Sequence, residues 1–263
     1  MARVVLPESR LRARRKRRRA RLTLVLAGLV VVLLAAVVGL SYLPFLQVRD
    51  VAIVGTQTLA TSTLEDYVQA QIAGRYWFVF PRRNIFLYPK QSIREGLLAH
   101  FPELRSADVH AANFHTIAAT IVEREPKALW CTGDVCYFMD QGGVVYAGNS
   151  GAQGLVSYRG AALGNVLPKQ YLTPGQFESL FALVDALSQK IEPITSVSVD
   201  NNNDVEATFG SGFVLKFALD DAQGDVFERF SLALTSDPFK NKQLSNFAYL
   251  DLRFGDKLYY KLK

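Results

Sequence analysis

Residues 10–43 read "RLRARRKRRRAR-LTLVLAGLVVVLLAAVVGLSYL", a basic run (Arg10–Arg21) followed directly by 22 residues without a charge (Leu22–Leu43). An uncharged run of this length spans about 33 Å as a helix, enough to cross a hydrocarbon core of about 30 Å. A cleaved signal peptide would have a shorter apolar region and a small-x-small cleavage site. Here the run ends in "SYLPF", so a retained transmembrane helix over 22–43 is expected. Nine basic residues lie within Arg10–Arg21, whereas only Arg49 lies close on the far side. The positive-inside rule therefore places the arm, residues 1–21, in the cytoplasm and everything beyond Tyr42 outside. The arginine run can serve topology alone, or also bind anionic lipid or a cytoplasmic partner.

The arm also accounts for the net charge of +6. Residues 1–21 carry ten Arg/Lys and one Glu, and the remainder carries 20 Lys/Arg against 23 Asp/Glu. A nucleic-acid-binding globule carries its positive charge on its folded surface. That uneven placement argues against nucleic acid as a partner.

Beyond the helix, "VRDVAIVG" alternates as a strand and ends at Gly55. "TSTLEDYVQAQIAG" predicts a helix with a Ser62/Glu65 capping box and Leu64, Val68 and Ile72 on one face. An irregular aromatic stretch, "RYWFVFPRRNIFLYP", precedes a second helix over about Lys90–His100, with Ile93, Leu97 and Leu98 apolar. Strands "SADVHAA" and "TIAATIVERE" follow. The order β-α-α-β-β makes a small α+β unit over residues 47–126 with helices on one face of a three-stranded sheet.

Pro126 marks a boundary, and residues 127–263 form a strand-rich domain with two helices. "KALWC", "CYFMD" and "GVVYAG" are short strands, and Gly148–Gly164 reads as loop. A helix begins with Thr173 as N-cap and Pro174 at its first position, with Phe177, Leu180, Phe181, Val184 and Leu187 as its stripe. Three strands follow, "ITSVSVD", "DVEATFG" and "FVLKFAL". A last helix over about Ala222–Thr235, preceded and capped by Asp220-Asp221, carries Val226, Phe230, Ala233 and Leu234 inward. The fold class is thus α+β.

"LWCTGDVCYFM" sets Cys131 and Cys136 on either side of a tight turn. A disulfide across the hairpin and a pair of reduced thiols both fit. The C-x4-C spacing matches no thioredoxin-like motif, and no second pair completes a zinc site. The sequence holds no constellation of catalytic residue types. His100, His110 and His115 lack companion Cys or paired carboxylates, and Gly142 and Gly151 lack the strand–Gly-rich–helix context that cradles phosphate. Asn201–Asp204 reads as a tight turn rather than a calcium loop. No catalytic residue, cofactor, metal or small-molecule substrate is expected. In "VEREPKALW", Glu123, Arg124 and Glu125 suit either a solvated strand end or a set of charges fixing an interdomain angle.

Five phrases, in order and spacing over roughly residues 10–263, resemble the FtsQ/DivIB family of bacterial cell-division proteins. They are "FLQVRDVAIVG", "HFPELRSADVH", "IVEREPKALW", "FMDQGGVVYA" and "YLDLRFGDKLYYKLK". The Cys131/Cys136 hairpin departs from the most familiar members. The resemblance implies a polypeptide-transport-associated (POTRA) domain at 47–126 and a β domain at 127–263. It implies a non-enzymatic divisome scaffold of the plasma membrane, at the division septum, whose POTRA domain contacts other division proteins. Its β domain would dock an FtsB/FtsL-type pair of membrane-anchored coiled-coil proteins. A POTRA-bearing secretion or envelope-assembly factor is the alternative, expected to continue into an outer-membrane barrel; an extracytoplasmic hydrolase is a third.

The family's binding surface is implied to be the closing hairpin. "FAYLDLRF" alternates Ala248, Leu250, Leu252 and Phe254 onto one face, and Tyr249, Asp251 and Arg253 onto the other. In "KLYYKLK" the apolar face is Leu258, Tyr260 and Leu262. Matching apolar faces predicts a three-residue turn, Gly255–Lys257, pairing Phe254 with Leu258, Leu252 with Tyr260 and Leu250 with Leu262. Lys257, Tyr259, Lys261 and Lys263 then face solvent. Edge lysines discourage indiscriminate pairing. In a scaffold the same edge can accept one chosen strand, with FtsB beside Lys257–Lys263. The partner-binding candidates are Tyr249, Asp251, Arg253, Phe254, Lys257, Tyr259, Tyr260 and Lys261.

Overall fold

The computed structural model describes residues 8–149, 151–160, 162, 166–221, 223–240, 242–255 and 257–263. Helix α1, Glu8–Ser41, contains one stretch, Lys16–Ser41, long and apolar enough to cross a membrane, and its most apolar 18-residue window has no residue buried in protein; Ser41 at its end is buried. Leu22, Leu26, Leu29 and Leu33 are each about 60–70% exposed. A helix apolar on every face and unburied by its own chain is suited to lipid on all sides.

The chain divides into two units, one of Met1–His100 with Ser106–Val122, the other of Phe101–Arg105 with Glu123–Lys263. In the first, β1 (Asp50–Val54), α2 (Thr61–Ile72), the short pair β2 (Arg75–Tyr76) and β3 (Phe80–Pro81), α3 (Lys90–His100), β4 (Leu104–Ala111) and β5 (Thr116–Glu123) follow α1. The three-stranded sheet has order β1-β5-β4, with β1 parallel to β5 from Asp50↔Thr116 to Val54↔Thr120. Leu64, Val68 and Ile72 of α2 and Ile93 and Leu97 of α3 are buried, as are Val109, Ile117, Ala119 and Ile121 of the sheet. Gly55 is at φ +100°, and a Cβ there would stand 2.2 Å from the Ile121 carbonyl oxygen. Only glycine fits that approach.

The Ser62 capping box is not formed. Helix α2 begins at Thr61 with Ala60 in the N-cap position, and Ser62 lies inside the first turn. The Thr61 hydroxyl meets the Thr56 hydroxyl at 3.1 Å, a local contact just ahead of the helix.

The second unit is built on one ten-stranded sheet. Its strands are β6 (Ala128–Thr132), β7 (Val135–Met139), β8 (Val144–Gly148), β9 (Ser157–Arg159), β10 (Lys169–Gln170), β11 (Ile194–Val199), β12 (Asp204–Phe209), β13 (Val214–Ala218), β14 (Phe247–Phe254) and β15 (Lys257–Leu262). The order is β10-β8-β7-β6-β9-β11-β12-β13-β14-β15. Helices α4 (Pro174–Lys190) and α5 (Gln223–Thr235) contribute to one core with the sheet. Alternation in β12 and β13 turns Val205, Ala207, Phe209, Leu215 and Phe217 into that core. Each buried Leu or Phe contributes about 1.5–3 kcal/mol of transfer free energy.

Three expectations change here. The stretch Gly148–Gly164 is not all loop: β9 lies within it, parallel to β6 on one side and β11 on the other. It joins the two halves of the sheet through the fully buried Tyr158. Residues 150, 161, 163 and 164 of that stretch lie outside the described residues. In α4, Leu183 is buried in addition to the expected stripe, while Phe181 is half-buried and packs against the core. Pro174 does open α4 with Thr173 at the N-cap, but the Thr173 hydroxyl donates to Gln176 Oε1 at 2.7 Å and accepts no bond from a backbone N–H of the first turn. Ala222 lies outside the described residues and α5 is seen from Gln223. Asp221 Oδ2 accepts from the Ala218 N–H, and Asp220 Oδ1 from Gln176 Nε2.

Candidate functional site: the closing hairpin

Strand β14 runs parallel to β13, pairing Val214↔Tyr249, Leu215↔Leu250 and Lys216↔Asp251. Strand β15 pairs with β14 and, among the described residues, has no second neighbour in the sheet. The inner face of β14 is core: Phe247, Leu250 and Leu252 are fully buried. Phe239 stacks on Phe247 at 4.1 Å, and Tyr260 meets both rings edge-on at 5.6 and 6.1 Å.

The register differs from the sequence expectation. Phe254 stands opposite Lys257, Asp251 opposite Tyr259, and Leu250 opposite Tyr260. The expected pairs Phe254–Leu258, Leu252–Tyr260 and Leu250–Leu262 do not occur, and the turn is the shorter one, with Gly255 at φ +61°. Asp256, the other turn residue, lies outside the described residues. Two β14 residues, Leu252 and Arg253, face the single Leu258, and a second shift lies between Phe247 and Tyr249. These bulges absorb the mismatch that the pattern argument assigned to the turn. They also re-aim Phe254: it leaves the core face, is 54% exposed, and packs its ring 5.0 Å from Tyr259.

The outer face carries a charged lattice. The Asp251 side chain is almost wholly buried and accepts from Arg253 Nε at 2.9 Å and Nη2 at 2.6 Å. Arg253 Nη1 also reaches Asp204. Burial pulls the Asp251 carboxyl upward, but the Arg253 side chain and backbone N–H outweigh it and hold it below the usual carboxylate range. The Asp251 carboxylate, ahead of Asp204, holds Arg253 more firmly protonated. Lys216 pairs with Glu206 at 2.5 Å and lies over the Tyr249 ring at 5.3 Å. From α5, Arg229 donates to the carbonyls of Leu252 and Gly255, clasping the turn.

The candidate residues therefore separate. Asp251 and Arg253 are bound to each other, and Tyr249 is half-buried. Phe254, Lys257, Tyr259, Tyr260 and Lys261 are exposed. The whole of β15 is exposed, including Leu258, Tyr260 and Leu262 at 41–46%, so its apolar face is only partly covered. Sequence reasoning missed Arg229, Asp204 and the Lys216–Glu206 pair, because nothing local links them to a strand 23 to 49 residues away.

At the other end of the sheet, Cys131 and Cys136 stand directly opposite each other and form a disulfide. Arg124 pairs with Asp140 at 2.5 Å, and Asp140 also accepts from the Gly142 and Val144 N–H groups. The Tyr146 hydroxyl beside them is pushed up to about 12, first by burial and then by Asp140. The histidines are apart: His100 stacks on Tyr67, His110 lies 3.4 Å from Asp108, and His115 meets Phe45 edge-on. No cluster able to hold a metal ion occurs among the described residues. Asp200 Oδ1 accepts from the Asn202 and Asp204 N–H groups at 2.8 Å, closing the Asn201–Asp204 turn. Both bonds, that from Asp204 first, hold its carboxyl low.

No protein-family model matches the chain. The chain is similar to the cell division protein FtsQ of Mycobacteroides abscessus, 25% identical over 212 residues, which cover 79% of this chain and 63% of that protein. It thus spans less than two thirds of that relative's length. This similarity agrees with the resemblance read from the residues, and the single N-terminal apolar helix fits a single-pass membrane protein.

Proposed function

We propose that the chain is a non-catalytic scaffold of the bacterial divisome. It is anchored by α1 with its N-terminus cytoplasmic and everything beyond Tyr42 extracytoplasmic, and it acts at the septum. The part of the first unit beyond α1 is its POTRA domain and contacts other division proteins. The second binds an FtsB/FtsL-type pair through the closing hairpin. The observation that carries this reading is the open edge of β15, exposed on both faces and framed by Lys257, Tyr259 and Lys261. An incoming strand would draw affinity from backbone hydrogen bonds and selectivity from side chains. Phe254 and Tyr259 form a rigid aromatic pair beside that edge, the residue type that anchors interfaces. The similarity to FtsQ supports the cell-division role.

The test is capture of an FtsB/FtsL-type pair by the full-length chain in nanodiscs. Tyr259→Glu places a charge at the exposed pair, and Tyr260→Pro blocks the strand. Both are expected to abolish capture while the chain stays in the membrane fraction. Undiminished capture by Tyr259→Glu would overturn the reading.

A further inference from the structure

The irregular aromatic stretch at 75–87 has no part in the function proposed above. Strands β2 and β3 make a small hairpin whose turn is closed by the Val79 N–H donating to Tyr76 O at 2.9 Å. The two central residues are Trp77 and Phe78, both at positive φ (47° and 63°). Among the described residues they are the most solvent-exposed large apolar side chains, at 85% and 93%. Turn positions with φ > 0 favour Asn and Gly, and bulky side chains there are disfavoured. Two aromatics at such a corner, aimed away from the protein, call for a compensating environment.

The hairpin is tied to the exit of α1. Tyr42, the residue after that helix, donates its hydroxyl to Val79 O at 2.6 Å. The Arg75 guanidinium lies over the Tyr42 ring at 5.6 Å. Ser41 O, in the last turn, accepts from Gln47 Nε2 at 2.8 Å and from the buried Asn84 Nδ2 at 2.9 Å. The Ile85 N–H donates to Leu46 O, and the Val48 N–H to Arg83 O. With the uncharged run spanning about 33 Å, Tyr42 falls at the edge of a hydrocarbon core of about 30 Å, and the hairpin falls with it. Phe45 and Phe86 are also exposed, at 57% and 71%, and Tyr76, Trp77, Phe80 and Leu87 line an apolar groove of about 370 Å³.

The geometry points to a second membrane contact: the 75–81 hairpin dips Trp77 and Phe78 into the headgroup–acyl boundary beside α1. The occupant of this surface is the bilayer, because the patch is continuous with a helix whose apolar surface only lipid suits. Aromatic rings belong at that depth, and Arg75, Arg82 and Arg83 beside them suit lipid phosphates. One membrane helix alone leaves a domain free to rotate and tilt. A second point of insertion would set the first unit's height and facing above the membrane.

This inference rests on α1 spanning the bilayer, so the experiment separates the two. The full chain is reconstituted in phosphatidylcholine/phosphatidylglycerol vesicles as wild type and as Trp77→Phe, an exposed-site change that leaves the core intact. Flotation with the vesicles reports α1. The chain has two tryptophans, and Trp130 is buried and common to both proteins, so the difference in emission belongs to Trp77. Nitroxide lipids labelled near the carbonyls are expected to quench that difference by about twofold or more, and beyond deep-labelled lipids, given insertion of about 5–10 Å. Aqueous iodide is expected to quench it weakly. A floating chain whose Trp77 is quenched by iodide and not by lipid overturns this inference alone. Shielding from both quenchers would mean that protein covers the hairpin, which also overturns it. A chain that does not float overturns the membrane reading and this inference with it.

Discussion

The two hairpins β6–β7 and β14–β15 are alike in sequence pattern and unlike in structure. Both put apolar and aromatic residues around a turn containing Gly and Asp. In β6–β7 the register runs unbroken from Ala128↔Met139 to Thr132↔Val135, and the strands are flanked by β9 and β8. Ala128 to Cys131 are buried, and a disulfide crosses the pair. In β14–β15 the register shifts twice, one strand has a single neighbour, and β15 is exposed throughout. A strand paired on both sides is held in register by both partners. An edge strand answers to one, so bulges are tolerated there and re-aim side chains outward. The difference separates a hairpin built to hold the sheet from one available for contact.

That contrast can be broken most severely from the inner side of β14. Phe247→Ala removes a fully buried ring stacked on Phe239 and is expected to cost about 3–5 kcal/mol, read as a lower urea midpoint. A negligible loss would mean that the closing hairpin is not part of the core. Replacing both Cys131 and Cys136 by Ser is expected to cost less, about 2 kcal/mol, because the crosslink closes only a short loop of sequence separation 5. It should leave capture of the partner pair unchanged, and lost capture would erase the division of roles.

The Asp251–Arg253 pair gives a smaller, pH-dependent effect. The folded-state pKa of Asp251 is depressed, so the unfolded chain takes up the proton first as pH falls. Its stabilising contribution is complete above the ordinary carboxylate range, about 4, and is lost as pH falls from there through the folded value. Wild type should therefore be more stable than Asp251→Asn near neutrality, with the gap closing below about pH 4. A gap that stays constant into strong acid would contradict the pairing. Smallest of all, Tyr259→Glu should change stability by no more than about 0.5 kcal/mol while removing capture, since its side chain is about half exposed.

The legible parts of the fold were those with a local cause. Helix α3 was read at its observed bounds from apolar spacing and a following Pro102, and the three residues buried from α2 were those on its predicted face. Strand β9 was not legible. It is three residues long in a Gly/Ala/Ser-rich segment, and only its neighbours β6 and β11 make it a strand. The Ser62 capping box was not formed because α2 starts at Thr61 with Ala60 at the N-cap, which leaves Ser62 inside the first turn. At the candidate site, the identity of the hairpin and its exposed aromatics could be read, but the clasp of Arg229 on the turn could not.

The sequence by itself determined one membrane-length helix behind a basic arm, the α+β order of elements and the placement of a closing hairpin, because charge, apolar period and turn residues act within a few positions of one another. Only the tertiary structure decided the register of that hairpin. Pattern matching placed Leu250, Leu252 and Phe254 opposite Leu262, Tyr260 and Leu258 on one inward face. The structure instead satisfies Arg229, Asp204 and the short turn at Gly255, and lets a bulge carry Phe254 to the outside. Register at an open edge is weakly specified by one neighbour, so distant residues of the same chain decide which side chains are left exposed.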